Sequence, residues 1–129
     1  MFIIFSERFI NILPLFMCME ISKEDLLRIN SGFGGNLRSD SSLDFAIDRV
    51  NSPKLGAYKK LAYLWRAILV DHPFSDGNKR TAVFLAYAFA DENNKQVNRD
   101  MLVYQAVSIA QKNLTNIRQI EWRIKNAIK

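Results

Sequence analysis

"HPFSDGNKRTAVFLAYAFADE", residues 72–92, is the stretch on which the reading of this chain turns. Residues 72–80 hold the only histidine, a carboxylate, a glycine, an amide and two adjacent cations. The run after them is apolar on nearly every side: Ala82, Val83, Phe84, Leu85, Ala86, Tyr87, Ala88 and Phe89. A helix without a polar face belongs in the middle of a domain. The Val and Phe content also admits a strand, but the length and the alanines favour a helix from about Asn78 to Glu92. Any helix before the cluster must stop short of Pro73, because the residue preceding proline is pushed out of helical geometry. His72 occupies that position.

Upstream, Leu55, Tyr58, Ala62, Trp65 and Leu69 recur on one face of a long helix that starts near Lys54. "NSP" at 51–53 separates it from "LDFAIDRV", which Ser41 or Ser42 can cap. Residues 31–40, "SGFGGNLRSD", contain Gly32, Gly34 and Gly35 and read as a loop or a tight hairpin. Ser22 with Asp25 resembles a capping box, with Asp in place of the usual Glu or Gln, opening the short helix "KEDLLRIN". Downstream, two amphipathic helices are expected at roughly 100–112 and 116–128, the second marked by Ile117, Ile120, Ile124 and Ile128. Period-2 strands are missing, so the pattern is all-α apart from the glycine stretch.

A chain of 129 residues argues for one domain, and 49% hydrophobic residues argue for a packed core. Cys18 alone forms no internal disulfide, and no cysteine–histidine set exists for zinc. A reducing cytoplasm is the expected compartment. The formal charge of +5 permits a polyanionic partner without choosing one. The cations are spread along the chain, as on solvated helix faces, so no nucleic-acid partner is expected.

Residues 1–18 are apolar but interrupted by Glu7, Arg8 and Asn11. They make a poor signal peptide and too short an apolar run to span a bilayer, so no membrane partner is expected. With Phe2, Phe5, Phe9, Ile12 and Phe16 at helical spacing, they read either as an extension from an upstream start or as a docking helix. The domain proper is then 19–129.

The cluster carries chemistry. A helix beginning near Asn78 leaves its first N–H groups unpaired and bears partial positive charge there, which makes an anion site. Gly77 lets an anion approach the backbone, and Lys79 and Arg80 add full charges, the arginine able to grip a phosphate with two bonds. Asp76 is a hard oxygen ligand suited to Mg²⁺ on a phosphate chain. His72 can accept a hydroxyl proton near neutral pH. Phe74 reads as a core anchor. Singly, these are ordinary loop, cap and solvated residues. Together they are the parts needed to transfer a phosphate-containing group to a hydroxyl. A P-loop fails on spacing, and no G-x-S-x-G elbow is present.

This stretch resembles the Fic/Doc signature, H-P-F-x-(D/E)-G-N-(G/K)-R, and every specified position matches. "MEISKEDLLRIN", the glycine stretch with "LRSD" and the helices on either side of the motif are similar in layout to short Doc-type proteins, over about residues 19–128. The resemblance implies an all-α Fic fold: a helical bundle around a buried central helix, with a small β-hairpin flap. It implies that His72 deprotonates a Ser, Thr or Tyr hydroxyl of a target protein and that Asp76 binds Mg. Gly77, Asn78, Lys79 and Arg80 would hold the phosphates of ATP or another nucleotide. The flap residues Gly35, Asn36, Leu37 and Arg38 would hold the target segment by main-chain pairing.

Lys79 stands where AMP-transferring Fic proteins usually carry glycine, and Val83 where they carry a second arginine. Both departures resemble Doc, whose nucleotide gives up its terminal phosphate, so phosphate transfer is favoured over AMP transfer; a catalytically silent binding module is the further alternative. No Ser or Thr is followed four residues later by Glu, so no inhibitory motif of the family's kind is present. The resemblance then implies a toxin with a separate antitoxin, acting on a target such as a translation factor.

Overall fold

The computed structural model describes residues 21–129. The extension or docking helix expected over residues 1–18, and the boundary drawn after it, lie outside the described residues. Those residues form six helices: α1 (Lys23–Ser31), α2 (Ser41–Val50), α3 (Ala57–Leu69), α4 (Asn78–Glu92), α5 (Arg99–Lys112) and α6 (Ile117–Ala127).

Local sequence accounts for most of their ends. The capping box of α1 forms with Asp25 as its acid: Asp25 N–H donates to Ser22 Oγ at 3.1 Å, and Ser22 N–H donates back to the Asp25 carboxylate at 3.0 Å. Asp40, rather than Ser41 or Ser42, stands at the cap of α2, without a side-chain bond. α3 starts at Ala57, not near Lys54, because Pro53 and Gly56 bracket a turn, which leaves Leu55 outside the helix. Leu69 ends it well before Pro73.

α4 runs over the expected residues, and all of its apolar run but Val83 is buried. Yet α3 is the element the others share, packing against α2, α4, α5 and α6. Trp65 on α3 is fully buried, and its indole N–H donates to the Ala82 carbonyl at 2.9 Å, satisfying the ring's one polar atom. At the far end the Tyr58 hydroxyl donates to the Ile128 carbonyl at 2.8 Å, closing α6 onto α3. Each large apolar side chain buried in this way contributes about 1.5–3 kcal/mol.

The expected β-hairpin flap is reduced to a single antiparallel bridge, between Leu37 and Phe74. Arg38 N–H donates to the Pro73 carbonyl at 2.6 Å, and Ser75 N–H to the Asn36 carbonyl at 2.8 Å. Gly34, at φ 86, turns the chain so that residues 36–38 pair with the motif loop instead of with themselves. No described helix is long and apolar enough to cross a membrane.

Candidate active site

Residues 72–77 form the loop that feeds α4. Phe74 is 1% exposed and anchors it in the core. The Asn78 side chain clamps the same residue: its Nδ2 donates to the Phe74 carbonyl at 3.0 Å, and its Oδ1 accepts from Phe74 N–H at 3.3 Å. The side-chain amide of Asn78 is thus occupied within the loop and shapes the helix start, which leaves its main-chain N–H as the group that faces an anion there. His72 itself has φ 49, a left-handed backbone that a non-glycine residue adopts at a cost of about 1–3 kcal/mol. Its carbonyl accepts from Arg38 Nη2 at 3.1 Å, which ties the histidine to the flap.

Asn30, buried at the end of α1, sets the start of α4 from across the sequence. Its Nδ2 donates to the Asp76 carbonyl at 2.9 Å and to Thr81 Oγ1 at 3.2 Å. Gly77, at φ 74, caps α4 in the left-handed region, and a Cβ there would stand 3.1 Å from Asn30 Nδ2 and from Phe33 Cβ. Sequence reasoning gave Asn30 no role. Its signal was a polar residue four positions after Leu26, on the face that α1 buries.

The flap residues divide. Gly35 is buried, and a Cβ on it would collide with Asn30 Oδ1 and the Asp76 carbonyl. Its lack of a side chain lets this end of the flap pack against Asn30 and the Asp76 carbonyl. Asn36 N–H donates to Ser75 Oγ at 3.0 Å, so Ser75, the unspecified position of the motif, pins the flap. Leu37 turns its side chain toward the core, while its main-chain N–H and C=O make no hydrogen bond among the described residues.

The first turn of α4 has no side-chain cap and no acidic residue. Its open N–H groups and dipole favour an anion. Asp76 Oδ1 accepts from Gly77 N–H at 2.8 Å, and the residue is exposed, with Oδ2 making no bond among the described residues. One carboxylate beside open phosphate-binding groups fits Mg²⁺, which keeps several waters and takes one or two carboxylates with substrate phosphates. No cluster of three or more His, Cys, Asp or Glu suited to a protein-only metal cage is present among the described residues.

Lys79 and Arg80, both exposed, open onto a groove of about 730 Å³ between α4 and α5. Its walls are apolar, with Val83, Phe84 and Tyr87 facing Val103 and Val107. Arg99, from the start of α5, also lines it, and no carboxylate does among the described residues. Lys79, Arg80 and Arg99 make no ion pair or hydrogen bond among the described residues. Sequence reasoning did not find Arg99, because nothing local distinguishes it from any other helix-start arginine.

A family model described as the Fic/DOC family matches residues 20–90, more than half of the chain. The match runs from the cap of α1 through the flap and the motif loop into the buried part of α4, and leaves out α5 and α6. No curated protein and no solved structure matches the chain.

Proposed function

Since the chain belongs to the Fic/DOC family, we propose that it is a transferase that moves a phosphate-containing group from a nucleoside triphosphate, ATP by default, to a hydroxyl of a target protein. The observation that carries this reading is the start of the helix that follows His72, which has no side-chain cap and whose first-turn Lys79 and Arg80, unpaired among the described residues, line an apolar groove. Apolar walls suit a nucleobase, and the open N–H groups with Lys79 and Arg80 suit its phosphates. Asp76 would hold Mg²⁺, which when bound neutralises phosphate charge. Gly77, at φ 74, makes the turn into α4 while leaving Asn30 and Phe33 their room.

His72 accepts the proton of a Ser, Thr or Tyr hydroxyl. The oxygen then bonds to phosphorus. In phosphate transfer it attacks the terminal phosphorus and the bond to ADP breaks; in AMP transfer it attacks the first phosphorus and pyrophosphate leaves. Lys79 and Val83 favour the first. A lysine fills space that a glycine leaves open, and a valine at position 83 removes one phosphate grip. The N–H and C=O of Leu37, without a hydrogen bond among the described residues, are suited to pair with an extended target segment. A toxin role, with a translation factor as target and a separate antitoxin, is consistent with the missing internal inhibitory motif.

Incubation with Mg²⁺, a cell lysate and ATP labelled at either the α- or the γ-phosphate tests the reading. Label transferred from the γ position is expected, with His72→Ala lowering the rate about 10²–10⁴-fold. Label from α would move the conclusion to AMP transfer. No label from any nucleotide, with His72→Ala and wild type equal in their effect on growth, would reject both.

A further inference from the structure

We propose that the α4–α5 groove selects guanine over adenine through Arg99, an inference that rests on this groove being the nucleotide site. α4 and α5 are joined by residues 93–98 and pack side by side, so they run in opposite directions. Lys79 and Arg80 therefore stand at one end of the groove, and Arg99, from the start of α5, stands toward the other. Arg80 and Tyr87 are about 10 Å apart along α4. Phosphates at the Lys79 end leave the sugar and base to run along Val83 and Val103 toward Arg99.

The charged side chain toward the far end of the groove, Arg99, is a hydrogen-bond donor only. A guanidinium has five N–H donors and no acceptor. Among the described residues no carboxylate or carboxamide lines the groove, and Tyr87 is the one lining residue with a side-chain oxygen. Guanine presents two adjacent acceptors, O6 and N7, which an arginine fork meets with two bonds; adenine presents an amino donor beside N7, which an arginine would repel. Arg99 is exposed and makes no ion pair or hydrogen bond among the described residues, so its fork is available. One such bidentate match discriminates by about tenfold or more. The residue lies beyond the 20–90 span matched by the family model, so it is a property of this chain's own second half.

Calorimetric titration of the full chain with Mg²⁺ and the β,γ-imido analogues of GTP, ATP and ITP, and with inorganic tripolyphosphate, tests this. The GTP and ITP analogues, which share O6 and N7, should bind about tenfold tighter than the ATP analogue. Arg99→Gln should reverse the order, since a glutamine side chain matches adenine N6 and N7, and should leave tripolyphosphate affinity unchanged. Equal affinity for all the nucleotides, or a GTP preference that Arg99→Gln leaves intact, would overturn the inference while the nucleotide site stands. Failure of every nucleotide and of tripolyphosphate to bind would overturn the site itself.

Discussion

Helices α1 and α4 distribute their charges in opposite ways. α1 opens on a Ser22 cap with Glu24 and Asp25 in its first turn, and ends with Arg28 in its last. Each of these opposes the helix dipole's end charge and so stabilises the helix. α4 opens without a side-chain cap and carries Lys79 and Arg80 in its first turn, and no basic residue lies in its last turn, where Asp91 and Glu92 sit. Lys79, Arg80 and Asp91 are placed against the dipole, and the Glu92 carboxyl, pushed up to about 8, keeps its proton near neutral pH. α1 satisfies its own ends; α4 is held by burial along its length. A helix stabilised by packing can leave its N-terminus open to a ligand, and α4 does so beside His72.

This contrast is tested most severely at the contact between the two helices. Gly35→Ala drives a Cβ into Asn30 Oδ1 and the Asp76 carbonyl. Chemical denaturation should show a loss of about 1–3 kcal/mol, with nucleotide affinity falling as well, because the same contact positions the motif loop. An unchanged denaturation midpoint would mean that Asn30 does not hold α4 in register.

Ser22→Ala should cost about 1 kcal/mol of stability and leave the transferase rate untouched, since it removes only the α1 cap. A drop in rate would show that α1 acts on the site through more than its fold.

At the other end of α4, burial and the neighbouring Asp91 push the Glu92 carboxyl up from 4.5 to about 8. Both of its oxygens are buried without a hydrogen bond among the described residues. The folded state therefore keeps a proton that the unfolded chain releases. Stability from this group is full below about pH 4.5, falls as pH rises, and is lost by about pH 8. Glu92→Gln should flatten that slope and raise stability at pH 8, by on the order of 1 kcal/mol given partial access to water. A slope equally steep in the variant would place the titration elsewhere.

The smallest effect is the most telling. Lys79→Asp should stabilise the ligand-free protein by about 0.3–1 kcal/mol, because an acid now sits at the helix N-terminus, while weakening nucleotide binding. If stability and binding fell together, Lys79 would be part of the fold and not a cation held ready for an anion.

Much of this was legible along the chain. The burial of α4 follows from a run with no polar face, and the α1 cap from the Ser22–Asp25 spacing. The motif's order of residues sufficed to expect a base, a carboxylate and cations around one helix start. Three features were not legible. The clamp of the Asn78 side chain on the Phe74 main chain depends on how the motif loop folds back on α4. The tight fit of Gly35 depends on Asn30 and the Asp76 carbonyl, which meet only in the folded chain. The hairpin itself became a bridge to the motif loop because Pro73 and Ser75 offered the flap its partners.

Neighbouring residues were enough to specify the helix caps, the run that must be buried, and the charged and polar groups gathered at one helix start. Each of these depends on positions within a turn or two of one another. Which distant groups meet them was a matter of packing. Asn30 reaches Asp76 from α1, the flap pairs with Pro73, and Arg99 shares with Arg80 a groove whose second wall comes from α5. Periodicity and spacing specify which face of an element is apolar, whereas the partner of that face is chosen by how the helices come together.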